Sequence, residues 1–160
     1  MERSVSLRIA GTEDTAFLRR VYFSSRHDEV AMFGWNEAQA TAFLEMQFSL
    51  QVRAYAMQFP TAESLVILCD GERAGRMVID RRAREISLVD IAVLPQFRQN
   101  GIATELIRGL QAEAAENDQT VELHVAKINP KAFALYQRLG FCVTGETPLH
   151  FEMSWDADRQ

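Results

Sequence analysis

A chain of 160 residues, 48% of them hydrophobic, has the length of one ordinary domain, 1–160, and can bury a two-layer core without crosslinks. Its 17 basic and 22 acidic residues leave a formal charge of -5, which argues against a general electrostatic grip on nucleic acid or an anionic membrane and for a small or cationic partner. Cys69 and Cys142 lie in apolar, strand-like surroundings without metal-ligand spacing and read as buried thiols in a reducing compartment. "MERSVSLRIAGTED" has no leader-like pattern and no later run reaches membrane-spanning length, so the expected location is the cytoplasm.

Val5 to Ile9 alternate as a first strand, and Thr12 then offers an oxygen to cap a helix in which Phe17, Leu18, Val21 and Tyr22 recur at helical spacing. "SSRHDEVAMFGW" reads as irregular. Asn36 and Gln39 have the spacing of a capping box, and Phe43, Met46, Leu50, Ala54 and Met57 trace one face of a long helix that Pro60 ends. "SLVILC" and "AGRMVI" flank Asp70-Gly71, a hairpin dipeptide, and "EISLVDIAVL" follows the charged turn "DRRAR" as the third strand of a meander. A helix from about Gly101 to Glu116, the strand "TVELHV", a helix from Pro130 to Leu139 and a final pair near "FCVTG" and "HFEMSW" complete an α/β chain with a mixed sheet.

Two stretches stand out. In "RQNGIA" a strand gives way to a helix at Gly101, so the first helical N–H groups lack intrahelical acceptors and favour an anion. Gly101 permits positive φ, Ala103 keeps the first turn slim and Arg98 adds a cation. A plain strand-to-helix loop with a solvated arginine accounts for the same residues equally well. The stretch lacks the Gly-Lys-Ser/Thr of a triphosphate loop and the three glycines of a dinucleotide fingerprint. In "EISLVDIAVLP" the apolar positions are even at Ile86 and Leu88 but odd at Val89, Ile91 and Val93. That one-residue slip fits a β-bulge or a strand buried on both faces, and Asp90 within the run needs a partner or a purpose.

"VDIAVLPQFRQNGIATELI", followed by "INPKAFALYQRLGF", resembles the GNAT superfamily of acyl-CoA-dependent N-acetyltransferases. Arg98, Gly101 and Ala103 satisfy its pattern of Arg or Gln, two residues, Gly, one residue, then Gly or Ala. The resemblance implies a mixed, mostly antiparallel sheet splayed between two central parallel strands and flanked by about four helices. It implies acetyl-CoA as cosubstrate and no metal. The pantetheine arm would pair with the bulged strand at Ile91, Ala92 and Val93, and the pyrophosphate would sit on Arg98, Gln99, Asn100, Gly101, Ile102, Ala103 and Thr104. Asn129 would cap the next helix and touch the cofactor arm. Periodicity alone makes Tyr136 a core aromatic, whereas the resemblance makes it the acid that protonates the departing thiolate.

The implied reaction is direct attack of a primary amine on the thioester through a tetrahedral oxyanion held by the Val93 N–H. Asp90 is the expected base or amine anchor, with Glu85 and Glu122 behind it. His124 on "TVELHV" reads as structural. The acceptor side, by the same resemblance, contains Asp28, Glu29, Phe33 and Trp35, acid plus aromatic for a cationic amine, with Glu45, Gln47 and Phe48 nearby in sequence. The partner is then an amine of a small molecule or a peptide, and a homodimer is the family habit. A non-catalytic acyl-CoA sensor or interaction module is the alternative, and it would have no use for a proton donor at the sulfur.

Overall fold

The computed structural model describes residues 3–160, apart from the side chains of Asp28 and Glu29. In chain order the elements are β1 (Val5–Ile9), α1 (Thr15–Ala31), α2 (Glu37–Gln58), β2 (Glu63–Cys69), β3 (Glu72–Arg81), β4 (Glu85–Val93), α3 (Ile102–Glu116), β5 (Thr120–Ala126), α4 (Pro130–Arg138), β6 (Cys142–Glu146) and β7 (His150–Trp155). The strands hydrogen-bond in the order β1-β2-β3-β4-β5-β7-β6. The β4–β5 pair is parallel, whereas β1–β2, β5–β7 and β7–β6 are antiparallel. This is the mixed, mostly antiparallel sheet with four helices expected from the sequence. Packing divides the chain into two compact units, Met1–Met77 with Ile91–Asn100 and Val78–Asp90 with Gly101–Gln160.

In the first unit Phe17 and Val21 of α1 pack with Val66 of β2 and Leu94, and Tyr22 and Val30 of α1 pack with Leu44 of α2. The cap of α1 differs from the expectation at Thr12. The buried Asp14 carboxylate takes two hydrogen bonds from Arg8, at 2.7 and 2.9 Å, one from the Gly11 N–H at 2.9 Å and one from Arg73 at 3.3 Å. Arg8 foremost, then the Gly11 N–H, holds the Asp14 carboxyl well below the ordinary carboxylate range. "SSRHDEVAMFGW" is not irregular either, since α1 runs to Ala31 and only its last residues form the loop. At Asn36 the capping box is present, with reciprocal bonds of 2.8 and 3.1 Å to Gln39.

The expected apolar face of α2 is the wrong one. Met46, Leu50 and Met57 are 51%, 49% and 84% exposed, while Leu44 is buried and Phe48, Gln51 and Tyr55 are half-buried. Both stripes have helical spacing because apolar residues occur on more than one side of α2, interspersed with polar ones. Packing selects the second, through Tyr22 against Phe48 (ring centroids 5.4 Å apart) and through Arg76 of β3. That arginine donates to Gln51 at 3.2 Å and lies 5.9 Å from the Tyr55 ring. The Asp70-Gly71 hairpin forms as expected, with φ of 51° and 84°. β3 is longer than "AGRMVI": Ala74 to Asp80 are all buried, so no alternation marks its end, and the strand takes Asp80 and Arg81 from the charged turn.

In the second unit β5 buries Val121, Leu123 and Val125 at strand spacing, and α3 and α4 both pack on it. The buried stripe of α3 is Ile102, Ile107, Leu110, Gln111 and Ala114, and Arg81 binds Glu113 of α3 through two bonds of 2.7 and 3.1 Å. Cys69 is buried as expected. Cys142 is exposed, because β6 is the last strand of the sheet and Cys142, Val143 and Thr144 all face solvent.

Candidate active site

The local chain around "RQNGIA" is built of left-handed steps. Pro95–Phe97 form one 3-10 turn, Gln99 then takes φ 65° and Gly101 φ 72°, ψ 16°, and α3 starts at the next residue. Gly101 occupies the N-cap position with no side chain to give, and the first helical hydrogen bond runs from the Glu105 N–H to the Gly101 carbonyl, 2.9 Å. The N–H groups of Ile102, Ala103 and Thr104 therefore precede the helical ladder, as an anion-binding helix start requires. Asn100 closes its own turn by donating to the Phe97 carbonyl at 3.2 Å. Arg98 Nε donates to the Val93 carbonyl at 2.9 Å, so the arginine also braces the end of β4.

β4 changes character at Asp90. Its burial alternates through Ile86 and Leu88 and then stays half-buried from Val89 to Val93, and its pairing with β5 runs from Glu85↔Thr120 to Leu88↔Leu123. Beyond that pairing the strands continue, β4 with Val89 and Asp90, β5 with His124 to Ala126. Gly75 of β3 was not singled out from sequence and matters here. A Cβ on it would lie 2.2 Å from the Ala92 carbonyl oxygen and 3.0 Å from Val93 Cα, so only glycine lets the backbones of β3 and β4 approach this closely. A glycine inside a strand, between Ala74 and Arg76, is the one local sign of such an approach, and it does not say which strand comes near.

α4 holds the other two candidate residues, Asn129 and Tyr136. Asn129 caps it, accepting from the Ala132 N–H at 3.2 Å, and Pro130 follows in the first turn. Tyr136 is 8% exposed and meets the Phe141 ring edge-on at 5.8 Å. Burial first, and the negative Asp90 second, push the Tyr136 phenol up to about 12. Structure thus brings Asp90 and Tyr136 into one electrostatic neighbourhood.

The remaining sequence-predicted residues divide. Glu85 and Glu122 lie at the start of β4 and β5, where they line a groove of about 710 Å³ with Thr120, Ser154 and Arg82. Glu122 accepts from the Ser154 hydroxyl at 2.5 Å and Glu85 is 3.9 Å from Arg82. Five strand positions, ~17 Å, separate Glu85 from Asp90, and Glu122 lies across from Ser87 of β4. His124 is exposed and 3.6 Å from Glu152 on β7, a surface pair. Phe33 and Trp35, both exposed, lie 5.0 Å apart with tilted rings at the α1–α2 loop, and Trp35 meets the half-buried Phe43 edge-on at 5.0 Å. The Asp28 and Glu29 side chains lie outside the described residues. Glu45 is paired with Arg19, and Phe48 packs on Tyr22.

Residues 23–141 match the sequence model of the Acetyltransferase (GNAT) family. The chain belongs to that family. As a GNAT acetyltransferase it is an enzyme that uses acetyl-CoA as cosubstrate. It is 29% identical over 147 residues, 89% of this chain and 75% of the relative, to a spermidine N(1)-acetyltransferase of Escherichia coli K12. Among solved structures, the PaiA N-acetyltransferase of Thermoplasma acidophilum in complex with coenzyme A superposes with a TM-score of 0.70 at 18% identity, covering 96% of this chain and 99% of that one. The spermidine N-acetyltransferase of Vibrio cholerae in complex with CoA and spermine gives 0.64 at 17% identity, covering 96% of each chain. At these identities the two structures speak for the GNAT fold. No helix among the described residues is long and apolar enough to cross a membrane, and no group of three or more His, Cys, Asp or Glu among them is arranged to hold a metal ion.

Proposed function

We propose that this GNAT enzyme transfers the acetyl group of acetyl-CoA directly to a primary amine of a small, cationic molecule, with Tyr136 as the proton donor to the leaving thiolate. The observation that carries this reading is the place of Tyr136, a buried phenol in the last turn of α4 within the electrostatic reach of Asp90. A phenol holds its proton at neutral pH and can pass it at short range to the thiolate as the C–S bond breaks, a step that a binding-only module does not need. The backbone N–H groups of Ile102, Ala103 and Thr104, following the left-handed Gly101, suit the pyrophosphate, with Arg98, Gln99 and Asn100 completing the turn.

In this reading Ile91, Ala92 and Val93 pair with the pantetheine amides, and the Val93 N–H steadies the oxyanion. Asn129 adds a contact to the cofactor arm beside its capping bond. Asp90 anchors the incoming ammonium or takes the proton it must lose before the free amine attacks, which its half-buried place on β4 suits. Phe33 and Trp35 offer exposed ring faces to an alkylammonium, and the spermidine acetyltransferase relative makes polyamines the first acceptors to try.

The test is thiol release from acetyl-CoA against spermidine, spermine, amino acids, aminoglycosides and amino-terminal peptides, with native protein and Tyr136→Phe. We expect turnover with at least one small cationic amine and a loss of about 10²-fold in kcat for Tyr136→Phe. Binding of acetyl-CoA without release above background for any amine would turn the assignment to the sensor, and undiminished kcat in Tyr136→Phe would remove the acid role.

A further inference from the structure

We propose that Gln111 is a positioning residue for acetyl transfer: its side-chain amide pins the C-terminal turn of α4 to α3 and so fixes where the Tyr136 hydroxyl stands. The proposal rests on the reading of Tyr136 as proton donor and adds to it a residue outside the substrate site.

Gln111 stands in the buried stripe of α3 between apolar neighbours, one turn from Ile107 and next to Leu110. An amide buried there costs free energy unless it is hydrogen-bonded. Its Nε2 donates to the Leu139 carbonyl at 2.8 Å, a buried bond between two elements. Leu139 ends α4. With only nine residues, α4 is too short to hold its own geometry in water and depends on tertiary anchors.

The geometry of that end leads straight to the tyrosine. The Leu139 N–H and the Phe141 N–H both donate to the Tyr136 carbonyl, at 3.1 and 3.0 Å, and the Gly140 N–H donates to Gln137 at 3.0 Å. Phe141 also supplies the ring that meets Tyr136 edge-on. One residue therefore separates the carbonyl that Gln111 holds from the residues that set the backbone and ring of Tyr136. At its other end α3 begins at Gly101, about 15 Å along the helix axis from Gln111. The same rigid helix thus carries the pyrophosphate-binding N–H groups and the clamp on the acid. A leucine or methionine at 111 would fill the space without an amide to satisfy, so the amide is explained by what it grips.

The experiment is a double-mutant cycle with acetyl-CoA and spermidine, using native protein, Gln111→Met, Tyr136→Phe and the double variant. We expect Gln111→Met to lower kcat about tenfold with the acetyl-CoA KM within about twofold, because a misplaced acid slows the step without weakening binding. In the Tyr136→Phe background the same change should cost less than about twofold. Equal losses in both backgrounds, or an unchanged kcat in Gln111→Met, would overturn the positioning role. Undiminished kcat in Tyr136→Phe alone would instead overturn the acid assignment, so the two failures are distinguishable.

A second measurement needs no turnover. With 13Cζ-tyrosine labelling the chain gives three tyrosine signals, and Tyr136 is the one that Tyr136→Phe removes. Its titration near 12 should move toward the free-phenol value near 10 in Gln111→Met as α4 loosens, and an unmoved titration counts against the clamp. Gln111→Leu, apolar and without a donor, serves as the second variant if Gln111→Met does not fold.

Discussion

Tyr136 keeps its proton because burial and the Asp90 carboxylate both oppose the phenolate, which places its folded pKa at about 12 against 10.0 for a free phenol. In the unfolded chain the phenol ionises near the lower value. Unfolding between the two therefore releases a proton, so the phenol's contribution is complete below pH 10 and is lost as pH rises toward 12. Two units correspond to about 3 kcal/mol. Urea midpoints taken at pH 9 and pH 11 should fall more steeply for native protein than for Tyr136→Phe. Parallel slopes would mean that the phenol is not held neutral by the fold. Asp90 itself drew notice in the sequence as a charge inside an apolar run, and its closeness to Tyr136 came only from the structure. Gln111 and Gly75 escaped notice because one glutamine in a helical stripe and one glycine in a strand are ordinary until their partners, Leu139 and the Ala92 carbonyl, are seen.

Among the elements, α2 teaches the most about sequence reading. Phe43, Met46, Leu50, Ala54 and Met57 and the rival line of Leu44, Phe48, Gln51 and Tyr55 have equally good helical periods, and periodicity offers no way to choose between them. Rings and cations from α1 and β3 decide it. Leu44→Ala should cost about 2–5 kcal/mol, whereas Met46→Gln and Leu50→Gln should stay within about 0.5 kcal/mol, by urea unfolding. The reverse ranking would restore the first stripe. By contrast α4 was legible from end to end, because Asn129, Pro130 and Gly140 are local signals that act through the backbone of their own helix.

For the molecule as a whole the clearest test is linkage. A ligand that binds only the folded chain stabilises it by an amount set by its concentration over Kd, about 2.7 kcal/mol at a hundredfold excess. Coenzyme A should therefore raise the melting temperature of native protein in a concentration-dependent way. Gly101→Val forces a β-branched residue into φ 72° at the start of α3 and should abolish that shift while its own melting remains cooperative. An intact shift in Gly101→Val, or unchanged calorimetric affinity, would remove the pyrophosphate from this turn.

By itself the sequence determined the order of elements, the Asp70-Gly71 hairpin, the caps of α2 and α4, the helix start at Gly101 and the family motifs, all of which depend on residues near one another in the chain. Only the tertiary structure decided which face of α2 is buried, that Asp14 rather than Thr12 anchors the entry to α1, and that Cys142 is exposed. It also brought Asp90 into the electrostatic reach of Tyr136, and it joined Gln111 to the end of α4. The physical reason is common to these cases: burial, pairing and a shifted pKa belong to contacts between residues far apart in sequence, and no local pattern encodes which of several suitable partners the fold will supply.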